Sequence, residues 1–342
     1  MSAPRPGLDP ELVTRFTADV AGLLGSPLRD TAPLALAVSG GPDSMAMLAL
    51  SAAAFPGLVC AATVDHGLRP AAATEAAMVA RWCAKAGVAH QTLGLRDRIG
   101  ATAIQATARA LRYEALGGWA IAVGAVALAT AHHLDDQAET LLMRAVRGSG
   151  PAGLAGVRPQ RGHRLNDAQG QQDLLVIRPL LGWRRAWLRT LVTNAAIPFV
   201  DDPSNEDRRF ERVRVRHLLT ATPWLDPVGL ARSARFAGEA EAALAAIAEW
   251  FWTDRILSCD GAEVALRVAD VPREVQRLIV RKAILSVRTS QRITRPTFDP
   301  ASNIEPLLES LRSGIAATQA GVMAVPDGMI WHFRPEPPRR SA

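Results

Sequence analysis

LALAVSGGPDSMAMLAL, residues 34–50, reads as a short apolar strand, a tight glycine loop and an apolar helix. Residues 34–38 are the strand, Ser39 to Ser44 the loop, and 45–54 the helix. Gly40 and Gly41 let the backbone adopt positive φ and approach a ligand closely. The free N–H groups and dipole of the helix that follows favour an anion there. Ser39 and Ser44 add hydroxyl donors. Asp43 is unusual in a phosphate cradle, because it repels phosphate unless it meets magnesium or a donor; it points to a metal-assisted nucleotide site. No G-x-x-x-x-G-K-S/T run and no loop lysine are present, so this is not a Walker loop. The plainer alternative for SGG alone is a polar strand-to-helix turn.

Outward from this unit the pattern repeats. Residues 59–64 form a buried strand ending in DHGLRP, and 74–86 have helical spacing. Residues 90–95 give a third strand, 104–116 a helix, and 126–130 a fourth strand ending in AHHLDD, with a helix over 135–146. Continuous apolar strands alternating with helices predict an α/β fold with a doubly wound, mostly parallel sheet. Ligands in such sheets sit beyond the carboxyl ends of the strands. The loops at 39–44, 65–69 and 132–136 therefore converge on one edge. Further on, 156–179 reads as a hairpin with its polar tip at 166–173, and TPWLDP at 222–227 as a linker. An alanine-rich helix over 229–256 and a terminal hairpin over 321–333, turning at Asp327-Gly328, suggest a second, smaller α+β domain. The predicted division is 1–220 and 221–342. Trp250, Phe251 and Trp252 are expected in its core.

Composition narrows the function classes. The chain has 342 residues, 49% hydrophobic and 21% charged, enough for two domains with real cores. It has 39 basic and 33 acidic residues, a net +6, which makes anionic partners plausible without deciding the fold. Three cysteines, Cys60, Cys83 and Cys259, are too few and too far apart for a disulfide scaffold, a zinc ribbon or a cysteine-held iron–sulfur cluster. The uncharged stretch 115–131 is shorter than a membrane span and is broken by Gly117, Gly118 and Gly124. It reads as a helix end, a loop and a buried strand. With no signal-peptide pattern, a cytoplasmic protein is expected.

Several clusters could carry chemistry. Asp135, Asp136 and Glu139 open a helix, with Asp136 and Glu139 sharing a face at i, i+3. They are either reactive carboxylates or acids that offset the helix dipole. His132 and His133 beside them could join a metal cluster, or simply close a strand. Arg109 and Arg112 are i, i+3 with Tyr113 adjacent, on a solvated face or beside developing phosphate charge. Arg208, Arg209, Arg212, Arg214 and Arg216 are the densest basic run, and Arg209, Arg212 and Arg216 fall on one helical face suited to phosphate contact. Arg184, Arg185 and Arg189 form a second basic group.

The strand–SGGPDS–helix unit resembles the PP-loop ATP pyrophosphatases, which attack ATP at the α-phosphate and leave an adenylated substrate. DHGLRP, ATARALRYEAL at 106–116, AHHLDDQAETLLMRAVRGSGPAGLAG at 131–156, IRPLLGWRRAWL at 177–188 and FVDDPSNEDRRFERVRVRHLL at 199–219 are together similar to the tRNA(Ile)-lysidine synthetase family. Val213 stands where that pattern has asparagine between two arginines. The resemblance implies adenylation of O2 of the wobble cytidine in an isoleucine tRNA with a CAU anticodon. The ε-amine of free L-lysine then displaces AMP at C2. It implies ATP at Ser39, Gly40, Gly41, Pro42, Asp43, Ser44, Asp65 and His66, with Mg2+ held mainly through the ATP phosphates and its protein ligands unknown. It implies catalysis by Asp43, Arg112, Asp136 and Glu139, lysine binding by Asp136, Glu139 and His133, and tRNA contacts from Arg209, Arg212 and Arg216. No membrane partner is expected, and the sequence leaves a homodimer open. Another PP-loop enzyme such as a tRNA thiolase is the second reading, poorly served by Cys60 and Cys83.

Overall fold

The computed structural model describes all residues except 1–6, 29–31, 66–69, 96–103, 168–169, 203–206, 261–262, 300–301 and 338–342. The chain divides into two compact units, Met1–Gly238 and Glu239–Ala342.

The first unit is built on a six-stranded sheet. Its strands are β1 (Leu34–Ala37), β2 (Val59–Asp65), β3 (Ala89–Gly94), β4 (Ala127–Ala129), β5 (Gln160–Asp167) and β6 (Gly170–Ile177). The spatial order is β3-β2-β1-β4-β6-β5, parallel throughout except for the β5–β6 hairpin. The strand order reverses at β1, which lies between β2 and β4, so the crevice beyond β1 and β4 is the expected ligand position. Helix α1 (Pro10–Leu24) and α2 (Pro42–Ala54) belong to one side. So do α3 (Pro70–Ala86) and α7 (Arg185–Asn194), around a core that includes Leu34, Leu36, Met47, Leu50, Val79 and Leu188. Helix α4 (Ile104–Ala122) covers the other face through Leu116, Trp119 and Ala120. Strand β1 accordingly alternates, with Leu34 and Leu36 toward one layer and Ala35 toward the other.

One element differs from its sequence reading. Helix α4 continues through Gly117 and Gly118 to Ala122 rather than ending near 116. A Cβ at Gly117 would lie 2.6 Å from Leu165 Cδ1, so this glycine marks close packing of the helix on β5 rather than a break.

Helices α5 (Leu134–Val146), α6 (Pro151–Leu154) and α8 (Glu211–Ala221) complete the part of this unit that concerns the site. Helix α9 (Pro227–Arg255) starts on Asp226, whose carboxylate accepts from the Val228 and Gly229 N–H groups. The boundary between the compact units falls within α9, later in the chain than the 222–227 segment read as a linker.

The second unit has an antiparallel sheet in the order β7-β8-β11-β10-β9, where β7 is Ile256–Cys259, β8 Val264–Arg267, β9 Ala317–Gln319, β10 Val322–Asp327 and β11 Ile330–Pro335. Helices α10 (Arg273–Ser290) and α11 (Glu305–Arg312) bury its Val264, Leu266, Trp331 and Phe333. Phe251 and Trp252 pack against this core, but Trp250 is 61% exposed and meets Phe251 edge-on. Three aromatics in a row cannot all face inward on one helix. No helix among the described residues is long and apolar enough to cross a membrane.

Candidate active site

Of the two glycines in the loop after β1 read as able to take positive φ, one does so. Gly40 has φ +84°, which a side-chain-bearing residue adopts only with strain, and Gly41 caps α2 with extended backbone. Pro42 and Asp43 occupy the first helical turn, where N–H groups have no intrahelical partner. The loop is braced from within: the Ser39 N–H donates to Ser44 Oγ (3.2 Å), and that hydroxyl donates to the Gly41 carbonyl (2.9 Å). Outside, the Val200 N–H donates to the Gly40 carbonyl at 2.9 Å. The sequence reads Ser44 as a hydroxyl donor of the loop; the structure buries it and uses it to hold the turn.

The segment after β4 supplies the second wall. His133 caps α5 reciprocally with Asp136. The Asp136 N–H donates to His133 Nδ1 (3.2 Å), and the His133 N–H donates to Asp136 Oδ2 (3.0 Å). Nδ1 is thereby an acceptor and Nε2 carries the proton, directed at Asp43 Oδ2 (3.5 Å) and Asp136 Oδ2 (3.6 Å). This histidine joins the loop after β1 to the helix after β4. Its burial disfavours charge, but the carboxylates of Asp136, Asp43 and Asp135 outweigh that and raise its pKa. Burial likewise opposes ionisation of Asp136, yet His133, Arg212 and His132 together hold its pKa below the usual carboxylate range. Asp43 Oδ1 is buried without a hydrogen-bond partner among the described residues.

Glu139 lies one turn further along α5 and is 1% exposed. Arg212 Nε donates to its Oε2 (2.8 Å) and Arg216 Nε to its Oε1 (2.9 Å); Arg212 also reaches Asp136 Oδ1 at 3.3 Å. Two arginines at i, i+4 on α8 thus clamp two acids at i, i+3 on α5. Arg209 does not share their face. It precedes α8 and pairs with Asp207 at the surface (2.6 Å). Helix α8 presents Arg212, Arg216 and buried Val213 inward and leaves Arg214, His217 and Leu218 exposed. The apolar Val213 suits its inward position.

The second basic group is also engaged internally. Arg184 Nε and the Arg185 N–H both donate to Asp135 (3.3 and 2.7 Å), and Arg189 holds Asp201 in a two-pronged pair at 2.7 Å each. Trp183, whose carbonyl accepts from the Leu134 N–H, donates its indole N–H to Asp19 of α1 (2.8 Å). Gln137 exchanges two hydrogen bonds with the Val157 backbone, and Arg144 donates to the Gly153 and Gly156 carbonyls. The RGSGPAGLAG segment is therefore fastened to α5. These supports have no local sequence signal, since each partner lies 9 to 164 residues away.

Asp65 ends β2, buried, as expected for a wall at the strand ends. His66 lies outside the described residues, as does the side chain of Arg109. Arg112 sits at an exposed position on α4. His132 turns toward Thr130, with its Nδ1 3.0 Å from the hydroxyl. Among the described residues no group of three or more His, Cys, Asp or Glu side chains is arranged to hold a metal ion. Burial pushes the Cys60 and Cys83 thiols up to about 11 and about 12, leaving neither poised as a thiolate.

Sheet order, glycine loop and flanking acids are those of a PP-loop ATP-binding domain, and the PP-loop domain family matches residues 12–222. The chain is 41% identical to the tRNA(Ile)-lysidine synthase of Novosphingobium aromaticivorans, over 96% of this chain and 95% of that one. It is 40% identical to that of Zymomonas mobilis, with the same coverage. The chain belongs to the tRNA(Ile)-lysidine synthase family. The fold is also that of a U34-tRNA thiolase from Methanococcus maripaludis, solved with its [4Fe-4S] cluster. The TM-score is 0.53 at 18% identity, over 67% of this chain and 81% of that one.

Proposed function

We infer that this enzyme joins free lysine to C2 of the wobble cytidine of an isoleucine tRNA at the expense of ATP. O2 of the base attacks the α-phosphorus and pyrophosphate leaves. The lysine ε-amine, having lost its proton, then attacks C2, and AMP departs with the oxygen. The observation that carries this reading is the pairing of the loop after β1 with the acids of α5 through His133. A nucleotide site and a site for a cationic substrate then share one wall.

We assign the ATP phosphates to the Gly40–Ser44 backbone at the start of α2, with Asp65 and His66 toward the nucleoside. Asp43 fits a magnesium ion on those phosphates, since its Oδ1 is buried and has no partner among the described residues. When bound, the ion neutralises phosphate charge. Asp136, 13% exposed at its side chain, is the carboxylate assigned to the lysine, with His133 orienting it. Glu139 is assigned to hold Arg212 and Arg216 in place rather than to meet the lysine itself, because it is 1% exposed and each of its oxygens holds a guanidinium. Arg112 is assigned to the charge that builds on the phosphate. Pyrophosphate release is expected only with tRNA present; release that runs on ATP and lysine without tRNA removes this reading.

Because Arg212 and Arg216 face inward, the tRNA phosphates are assigned to Arg208, Arg209 and Arg214, all exposed. The Asp207 pair of Arg209 is open to solvent and is screened by salt. Residues 239–342 hold 13 basic and 13 acidic residues, so the whole net positive charge resides before them. The second unit is assigned an assisting role in tRNA binding through shape rather than net charge. Replacing Arg208, Arg209 and Arg214 by alanine is expected to flatten the slope of log K against log salt by about 2, at roughly 0.7–0.9 per phosphate contact. ATP affinity stays unchanged. Filter binding across a salt series measures this, and an unchanged slope moves the RNA surface elsewhere.

A further inference from the structure

We propose that a cavity of about 600 Å³ between α1, α2 and α3 binds a small apolar molecule carrying one anionic group. Its walls include Ala49 and Ala53 of α2, Trp82 of α3 and Ile197. Its volume and apolar lining are those of small-molecule sites, in which a few polar groups fix orientation. Among the described residues the only charged side chains that line it are Arg81 and Lys85, and no acid does. They are i, i+4 on α3 and share a face. Both are exposed, and neither makes an ion pair among the described residues. Lys85 lies in the last turn of α3, where a cation also offsets the helix dipole, but Arg81 lies a turn earlier and has no such role. An apolar chamber edged by two unpaired cations complements an amphipathic anion and disfavours a cation.

The cavity lies toward the C-terminal end of α2, away from the nucleotide loop, although Met78 lines it and also lies against Gly40. Asp43 and Ser44 open α2, whereas Ala49 to Ala53 form its last turns, about 10–15 Å along the axis. Residues 195–198, which line the cavity, lead directly to Val200, whose N–H holds the Gly40 carbonyl. Nothing in the lysidine-forming reaction calls for such a compartment.

The probe is decanoate, titrated calorimetrically into the full chain, with decanol as the uncharged control. One saturable site is expected, with decanol weaker by about tenfold or more, as for loss of one charged contact. Arg81→Ala with Lys85→Ala should weaken decanoate by about tenfold or more and leave decanol unchanged. Ala53→Trp, which fills the chamber, should remove both. Should that variant fail to fold, as its melting curve would reveal, the two exposed-charge substitutions carry the test alone. Saturating ATP with magnesium should leave decanoate affinity unaltered. The proposal is overturned by absence of saturable binding, by equal affinity for acid and alcohol, by an unaffected double variant, or by displacement with ATP. Binding gained only after deletion of residues 1–6 would give the cavity to that segment and overturn it as well.

Discussion

Asp43→Asn is expected to abolish tRNA-dependent pyrophosphate release while the protein stays folded. The side chain stands in the first turn of α2, next to N–H groups that have no helical partner, where ATP phosphates are assigned. Asparagine has the same shape and keeps an acceptor toward His133, so the loop, braced by Ser39, Ser44 and Val200, loses no support. It does lose the negative charge at an oxygen that is buried and without a partner among the described residues. That oxygen is the feature best suited to a cation on the phosphates. Removing one preorganised electrostatic partner from a reacting phosphate costs roughly 10²–10³ in rate. Pyrophosphate release and the melting curve are read side by side. Near-normal release in the folded variant would take Asp43 out of the chemistry.

Glu139→Gln and Asp136→Asn are expected to fail in different ways. Glu139 neutralises two guanidiniums from a position 1% exposed. Breaking a buried pair costs about 3–5 kcal/mol because the remaining charge is stranded. Arg212 and Arg216 are 39% and 26% exposed at their side chains, so water offsets part of this, and about 2–4 kcal/mol is expected. At some 2–4 °C per kcal/mol, the melting temperature of Glu139→Gln falls by about 5–15 °C. Asp136 holds only one of those arginines and its own capping bonds. Asp136→Asn should melt nearer to the unsubstituted protein. Its apparent lysine affinity should fall by about tenfold or more, as for a charged contact of some 1.5–3 kcal/mol, with adenylated tRNA accumulating. A Glu139→Gln protein that melts normally and loses only lysine affinity would return Glu139 to the substrate.

The fold was largely legible because its signals are local. Apolar runs such as 34–38 and 59–64 mark buried parallel strands, and the glycines, proline and aspartate of SGGPDS mark the turn from strand to helix. The sequence ends helix α4 too early because glycine is ambiguous without its neighbour, and Leu165 lies 48 positions beyond Gly117. The site was legible in its parts and not in its pairing. Periodicity placed Arg209, Arg212 and Arg216 on one helical stripe, but α8 starts at Glu211, which leaves Arg209 outside it. The partner of that stripe, Glu139, is 73 positions away from Arg212. Charge patterning reveals a face, while only the packing of α8 on α5 decides whether that face meets solvent or a buried acid.

The identity of the product is read from the mass of the wobble nucleoside. The protein is incubated with ATP, magnesium, lysine and an isoleucine tRNA with a CAU anticodon, and the tRNA is digested to nucleosides. A cytidine heavier by one lysine less one water is expected, formed only when lysine is supplied. A cytidine left unmodified with lysine present, or one carrying sulfur in place of O2, would contradict lysidine formation.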